Sequence, residues 1–141
     1  MGTVDLEKIL VTPLSRIPTT GGDVLHALKF TEVGFEKFGE AYFSWIQSGN
    51  IKAWKMHKSQ TMNLIVPVGQ VKFVFYDIES NIFKVIEIGE DNYYRITVPK
   101  GIWFGFKGIS SQNSLILNLS SGIHDPKEID RKVVSEINFD W

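Results

Sequence analysis

The stretch from Gly49 to Gly69 constrains the fold of this chain more strongly than any other. Its first part, Ile51 to His57, alternates in side-chain character, and its second part, Met62 to Val68, is apolar and rich in β-branched residues. A short polar turn, Lys58 to Gln60, separates the two parts. Such runs, bounded by turn residues, are typical of β-strands. The pattern therefore predicts two β-strands joined by a short polar turn.

Successive side chains of a strand point to opposite faces, so the first strand has two predicted faces. These faces are Ala53, Lys55 and His57 on one side, and Lys52, Trp54 and Met56 on the other. A lysine and a histidine then point the same way, and in a cavity they are candidate catalytic groups. The alternative is that Lys55 faces solvent and His57 is a hydrogen-bonded structural residue.

Further strands are predicted at near-regular spacing, with turns rich in Gly, Asn and Asp between them. They are Lys8–Val11, Glu40–Ile46, Val71–Tyr76, Ile82–Ile88, Tyr93–Val98, Trp103–Lys107 and Ser114–Leu119, and Val24–Phe30 fits a strand or a helix. Short strands in this arrangement predict an all-β sandwich or barrel. Only Pro126 to Ser135 is predicted to be helical, with Asp125 as N-cap and Pro126 in the first turn.

Length and composition narrow the class of protein. A chain of 141 residues with 43% hydrophobic residues fits a single domain, residues 1–141, with a proper core. A net charge of −1 gives nucleic-acid binding no electrostatic support. The absence of cysteine excludes a disulfide scaffold and a thiolate nucleophile. No stretch reaches the ~20 apolar residues of a membrane helix, and the acidic N-terminus is unlike a signal peptide, so a cytoplasmic location is expected.

Two glycine-bounded motifs resemble those of the cupin family. The matching positions are Gly49, Lys55, His57, Met62 and Gly69 in the first motif, and Pro99, Gly101, Phe104 and Gly108 in the second. Of the four residues that bind a metal in this family, His57 alone remains, because Lys55, Met62 and Phe104 occupy the other positions. A transition metal normally needs about three nitrogen, oxygen or sulfur ligands. The resemblance therefore implies a cupin-type jelly roll, in which Gly49 to Gly69 forms two neighbouring strands that line the cavity, without a bound metal or other cofactor.

A closer resemblance is to the metal-free sugar-nucleotide branch of that family, the RmlC-like dTDP-4-dehydrorhamnose 3,5-epimerases and related ketoisomerases. The matching stretches are Pro13–Arg16, Gly21–Val24, Tyr42–Ser44, Ile51–Trp54, Gly69–Val71, Tyr76–Asp77, Pro99–Phe106 and Asn118. They cover about residues 6 to 128 in the family's order. The resemblance favours a strand for Val24–Phe30, and it implies a nucleotide-sugar ligand and a homodimer formed through an edge strand.

The sequence departs from the epimerases at two functional positions. Lys55 stands where the epimerases carry the histidine that serves as catalytic base, and Phe104 replaces a second histidine. Two functions remain open. One is an epimerase or isomerase that removes a proton next to the keto group of a dTDP-4-keto-6-deoxyhexose. The other is a non-catalytic protein that binds a sugar or nucleotide sugar.

The resemblance also implies roles for individual residues. His57 is the expected proton carrier, because histidine has an ordinary pKa near 6.5, whereas Lys55 becomes a base only if burial or a neighbouring cation lowers its pKa. Tyr76 or Tyr42 is the expected proton donor opposite the base. Asp77 is expected to support an active-site residue or to cap a turn.

The expected substrate contacts are of two kinds. Arg16 and Lys52 are candidates for the diphosphate, because cations suit phosphate oxygens. Trp103 and Phe104 are candidates for stacking on a base or sugar. Asn118 lies on a matching position of the family. His26 is predicted to be structural, and His124 to be a loop or capping residue.

Overall fold

The computed structural model describes residues 5–141, which form twelve β-strands and three short 3₁₀ turns. The strands are β1 Leu10–Pro13, β2 Arg16–Ile17, β3 Val24–Leu25, β4 Glu40–Ile46, β5 Ile51–His57, β6 Met62–Val68, β7 Gln70–Asp77, β8 Ile82–Gly89, β9 Tyr94–Val98, β10 Trp103–Gly108, β11 Ser114–Ser120 and β12 Ile129–Arg131. The 3₁₀ turns are Leu6–Lys8, Pro126–Glu128 and Val134–Glu136.

Ten of these strands form two five-stranded sheets. The first sheet has the order β1-β9-β6-β11-β4, and the second has the order β12-β5-β10-β7-β8. All pairings within both sheets are antiparallel, and β2 and β3 form a separate hairpin. The predicted all-β, cupin-type jelly-roll sandwich is confirmed.

The main core lies between the inner faces of the two sheets. Phe73 and Phe75 of β7 and Phe104 and Phe106 of β10 are buried there with aliphatic side chains of the opposite sheet. The ring centroids of Phe73 and Phe106 are 5.5 Å apart, and those of Phe75 and Phe104 are 5.8 Å apart. Lys55 and His57 of β5 lie beside this aromatic layer, next to the ring of Phe104.

The outer face of the second sheet carries a second aromatic cluster. Trp54, Tyr76 and Trp103 are buried there beneath the C-terminal residues Ile137 and Trp141. The rings of Trp54 and Trp141 are 5.2 Å apart, and the indole nitrogen of Trp54 donates a hydrogen bond to the carbonyl of Val134. The second sheet is therefore buried on both faces around β7 and β10.

The central stretch forms its two strands with the predicted bounds, but the strands are not neighbours in a sheet. β5 lies in the second sheet and β6 in the first, so the turn between them crosses from one sheet to the other. The residues that line the main cavity include none from β6. The crossing turn is fixed by Glu128, whose carboxylate accepts hydrogen bonds from the backbone nitrogens of Ser59 and Gln60. The predicted pair of adjacent cavity strands is therefore wrong.

The predicted C-terminal helix over residues 126–135 is also wrong. Asp125 does cap the backbone nitrogen of Lys127, but the 3₁₀ turn ends at Glu128. Residues Ile129–Arg131 then become β12, which pairs with the edge of β5. The free edge of β5 supplies hydrogen-bonding partners that compete with a helix for these backbone groups.

A β-bulge corrects the predicted faces of β5. Phe104 pairs with Lys55, but Phe106 pairs with Lys52, so the register shifts by one residue between the two pairs. Residues that pair directly lie on the same face, and Lys52 therefore shares the inner face with Lys55, while Ala53 packs with the outer cluster. Gly105 lies opposite the bulge, where an added Cβ would come within 2.4 Å of the Ala53 Cβ. Alternation alone placed Lys52 on the wrong face.

Two other predicted strands differ in extent. β1 begins at Leu10 because residues 6–8 form a 3₁₀ turn. The strand expected over residues 24–30 is reduced to Val24–Leu25, paired with Arg16–Ile17. Within the described part of the chain, no helix is long and apolar enough to cross a membrane.

Candidate active site

A cavity of about 580 Å³ opens between the two sheets. Its lining residues include Tyr42 and Ser44 of β4, Lys52, Trp54 and Lys55 of β5, Phe104 and Phe106 of β10, Asn118 of β11 and Arg131 of β12. The segment after β12 adds Lys132, Val133 and Glu136 to the wall. A second cavity of about 340 Å³ shares Tyr42, Lys55 and Arg131 with the first and is also lined by Glu40 and His124. Lys55, Tyr42 and Arg131 therefore stand where the two cavities meet.

Lys55 occupies the centre of the site. It lies between Phe104 on β10 and Arg131 on β12, and its Nζ is 5.6 Å from the centroid of the Phe104 ring. Within residues 5–141, no carboxylate lies within ion-pair distance of this amine. Burial, and to a lesser extent the positive charges of Arg131 and Lys52, lower the pKa of Lys55 to about 8, against the opposing charge of Glu128.

His57 shares a face with Lys55 but forms part of a buried pair. Its Nδ1 is 2.8 Å from Oε1 of Glu128, and each side chain is 6% exposed. Burial lowers the pKa of His57, although the hydrogen bond and charge of Glu128 act in the opposite direction. Burial raises the pKa of Glu128, but hydrogen bonds from Ser59, His57 and Gln60 outweigh this effect and hold it below the ordinary value. Near pH 7 the pair is therefore a neutral imidazole that donates from Nδ1 to a carboxylate.

The other ring nitrogen of His57 is left as a lone-pair acceptor by this arrangement. Nε2 is buried and has no hydrogen-bond partner in the described part of the chain. The ring stands beside Phe104, with the two ring centroids 6.4 Å apart, and it lines neither cavity. His57 therefore lies behind the cavity wall, whereas Lys55 lines the cavity.

The wall opposite β5 is supplied by the first sheet. Tyr42 and Ser44 lie on β4, and the Nδ2 of Asn118 on β11 donates to the hydroxyl of Ser44 at 3.1 Å. Burial raises the pKa of Tyr42, and the neighbouring Glu40 carboxylate raises it further, while Arg131 opposes this. The phenol is therefore protonated at neutral pH and able to donate a proton.

Three cations at the cavity are not neutralised by acids. Lys52 donates to the backbone carbonyl of Trp45 at 2.8 Å, and neither it nor Lys55 nor Arg131 has a carboxylate partner within residues 5–141. Lys132 alone among the cavity cations is paired, at 3.9 Å from Glu136. Such an excess of positive charge suits an anionic ligand such as a diphosphate.

The structure brings part of the predicted site together. Lys52, Lys55, Phe104 and Asn118 line the cavity, and His57 lies directly beside it. The roles that the sequence suggested for them stay predictions.

Four predicted site residues lie elsewhere. Tyr76 and Trp103 belong to the outer aromatic cluster, and the Tyr76 hydroxyl donates to the side chain of Asn81 at 2.9 Å. Asp77 caps a turn through the backbone nitrogen of Glu79, which was the second of its two expected roles. Arg16 sits on the small hairpin, 5.8 Å from the ring of Tyr93. Tyr42 therefore replaces Tyr76 as the candidate proton donor.

Two residues at this candidate site were not predicted from the sequence. Glu128 and Arg131 both fall in the segment that was predicted to be helical. Their side chains reach the site only because β12 pairs with β5. A run of three residues carries too weak an alternation to predict such a strand.

No group of three or more His, Cys, Asp or Glu side chains is positioned to hold a metal ion within residues 5–141. A metal-free and cofactor-free protein stays a prediction, and elemental analysis of the purified protein measures it directly.

Comparison with known proteins places this site in a family. A dTDP sugar isomerase from Desulfovibrio desulfuricans G20 has 32% sequence identity and a TM-score of 0.89, and the match covers 96% of this chain and 91% of that one. The sugar 3,4-ketoisomerase QdtA from Thermoanaerobacterium thermosaccharolyticum shares the fold, with a TM-score of 0.77 at 16% identity and coverage of 94% and 96%.

Curated relatives agree with the solved structures. The spore coat polysaccharide biosynthesis protein SpsL of Bacillus subtilis is 28% identical over 115 residues, which cover 75% of this chain and 76% of that protein. A probable low-salt glycan biosynthesis epimerase, Agl13 of Haloferax volcanii, is 28% identical over 98 residues, covering 65% and 63%. No protein-family profile matches the chain. The chain belongs to the RmlC-like cupins, the family of dTDP-sugar isomerases and 3,5-epimerases.

Proposed function

We propose that this protein is an epimerase or isomerase of a nucleotide-linked sugar, with a dTDP-4-keto-6-deoxyhexose as the type of substrate. The observation that carries the proposal is the cavity itself, which has Lys52, Lys55 and Arg131, without carboxylate partners in residues 5–141, on one wall and the protonated phenol of Tyr42 on the other. The Desulfovibrio relative, named as a dTDP sugar isomerase, supports the same class of substrate.

The reaction begins with removal of the proton on a carbon next to the keto group. The electrons of that C–H bond form an enolate, whose oxygen is stabilised by a nearby cation. Lys52 and Arg131 are the candidates for the diphosphate. Tyr42 returns a proton from the opposite wall, so the carbon is protonated on the face that did not lose its proton. This geometry favours inversion at that carbon.

Solvent deuterium exchange tests this proposal. Incubation with dTDP-4-keto-6-deoxyglucose in deuterated water is expected to introduce deuterium at C3 or C5, as read by NMR and mass spectrometry. Tyr42→Phe is expected to slow product formation by about 10²-fold or more, because it removes the proton donor. Tyr76→Phe is the matched control and is expected to react like the parent. Binding without any exchange would contradict the enzyme and support a non-catalytic sugar-nucleotide binding protein.

We also propose that the protein is a homodimer formed through the outer face of the first sheet. Phe43 and Trp45 are 63% and 56% exposed on the edge strand β4. They pair with Leu117 and Leu115 of β11, which extends the apolar surface across two strands. An exposed apolar patch at a sheet edge is typical of an association surface.

Substitutions on β4 test the dimer. The double variant Phe43→Ser/Trp45→Ser is expected to be monomeric at micromolar concentration by light scattering, whereas the parent is dimeric. Ile82→Ser/Val85→Ser is the matched control, because these exposed residues lie on β8, the edge strand of the other sheet. A monomeric parent would refute the dimer, and a dimeric β4 variant would place the interface elsewhere.

A further inference from the structure

We propose that Lys55, rather than the buried His57, is the general base that removes the proton from the substrate. This inference rests on the proposed function and assigns one step of it to one residue. The sequence had instead suggested His57 as the residue that carries the proton.

Access to the cavity is the first argument. Lys55 lines both the 580 Å³ and the 340 Å³ cavities, whereas His57 lines neither and is 5% exposed. A general base must come within hydrogen-bond distance of the proton that it removes. Lys55 reaches a molecule in the cavity without any rearrangement of the protein.

The two side chains also differ in their hydrogen bonding. The Nδ1 of His57 is held by Glu128, whose carboxylate also anchors the turn after β5. In the described part of the chain, the Nζ of Lys55 has no hydrogen-bond acceptor and no carboxylate partner, and it lies over the apolar ring of Phe104. Burial without an anionic partner makes this amine lose its proton more readily than one in water, although the contact with the Phe104 ring favours the charged form.

The charges around Lys55 act together. The titratable and charged groups around it are Glu40 and Tyr42 from β4, Lys52 and His57 from β5, Glu128 from the 3₁₀ turn, Arg131 from β12, the paired Lys132 and Glu136 from the segment after β12, and His124 at the second cavity. Burial is the largest influence on the pKa of Lys55, and Arg131 and Lys52 add to it, so that the pKa falls to about 8. A substantial neutral fraction is then present at neutral to mildly alkaline pH.

The proton-transfer step is balanced within this site. The lone pair of Nζ takes the proton on the carbon next to the keto group, and the C–H electrons become the enolate. The resulting ammonium group stays beside the enolate and stabilises its negative charge. Tyr42 donates its proton to the opposite face of the carbon, and the two side chains then exchange protons with solvent. His57 and Glu128 are positioning residues that hold β5 and the following turn.

The dependence of kcat/KM on pH tests this assignment. The parent is expected to gain activity with a midpoint near pH 8, because the neutral amine is the active form. Arg131→Met removes the charge that lowers the pKa of Lys55 most, and it is expected to move this midpoint to higher pH. Lys58→Met is the matched control, because Lys58 pairs with Asp130 outside both cavities, and its midpoint is expected to equal that of the parent.

Chemical rescue gives a second measurement. Lys55→Ala is expected to lose at least 10²-fold in deuterium exchange, and added ethylamine is expected to restore part of it in proportion to the free-base concentration. His57→Asn is expected to keep the midpoint near pH 8. If the kcat/KM of the parent instead rises with a midpoint below pH 6.5, and this pH dependence is lost in His57→Asn, His57 is the base. A cyanoborohydride-dependent substrate adduct on Lys55 would overturn the base role in favour of covalent catalysis. Absence of exchange in the parent at every pH would instead refute the proposed function.

Discussion

Replacing Glu128 with alanine is expected to destabilise the protein by about 3–5 kcal/mol, because three donors lose their acceptor at a cost of about 1–3 kcal/mol each. The Glu128 carboxylate accepts from the Nδ1 of His57 and from the backbone nitrogens of Ser59 and Gln60, and the residue is 7% exposed. Alanine leaves these donors without an acceptor in a site that water cannot easily reach. Denaturation in urea, followed by fluorescence, measures the free energy of unfolding.

Two variants serve as controls for this measurement. Glu128→Gln keeps an amide oxygen as acceptor, so its loss of stability is expected to be smaller than that of alanine. Glu79→Ala changes an exposed carboxylate and is expected to shift stability by no more than about 0.5 kcal/mol. A free energy of unfolding for Glu128→Ala within about 1 kcal/mol of the parent value would show that the network has no structural role, because about 1 kcal/mol is the net contribution of one ordinary hydrogen bond.

The same network predicts a loss of stability in acid. The lowered pKa of Glu128 means that its contribution is present above its unfolded pKa near 4.5 and is lost as pH falls through its folded pKa. The lowered pKa of His57 means that the unfolded state binds a proton more readily, so stability also falls as pH drops below 6.5. The gap in stability between the parent and Glu128→Ala is therefore expected to narrow below pH 4.

Replacing Lys55 with methionine is expected to increase stability while removing activity. The loss in deuterium exchange is expected to be about 10²- to 10⁴-fold, the usual contribution of a general acid or base. The gain in the free energy of unfolding is expected to be about 1–3 kcal/mol, because burial of the Lys55 ammonium group is unfavourable and methionine is uncharged. Urea denaturation and the exchange assay, performed on the same preparation, measure the two effects.

The pH dependence of this gain has a definite sign. The folded pKa of Lys55 is about 8 and the unfolded value is 10.5, so the folded state binds the proton less tightly. The advantage of methionine is thus fully present below pH 8 and is lost as pH rises from 8 to 10.5. Lys52→Met is the control, because Lys52 is exposed, and it is expected to leave stability within about 0.5 kcal/mol. A less stable Lys55→Met variant would show that the amine is structural.

The sequence alone determined the strands at the centre of the fold. β5 and β6 have the predicted bounds because a glycine or a polar turn marks each end of a run of alternating or β-branched residues. The resemblance of the two glycine-bounded motifs to the cupins implied the jelly roll, and the closer resemblance to the epimerases implied that Lys55 stands at the position of their base. These are local signals, so they do not depend on which strands later pair.

Only the tertiary structure decided which faces point inward. The strand β7 is buried on both faces from Phe73 to Asp77, because one face points to the main core and the other lies beneath the C-terminal residues Ile137 and Trp141. Alternation of polarity therefore could not place Tyr76 on the outer face. The polarity of β4 is also misleading, because its outward-facing residues Phe43 and Trp45 are apolar, whereas Tyr42 lines the cavity.

The remaining features of the site depend on pairing between strands that are distant in sequence. The bulge in β5 moves Lys52 to the inner face, and it exists only against Gly105 of β10. Strand β12 has three residues and forms at the free edge of β5, where it brings Arg131 to the cavity and follows the turn that positions Glu128 beside His57. A three-residue strand has almost no intrinsic preference for its conformation, so the hydrogen bonds available at that edge determine it.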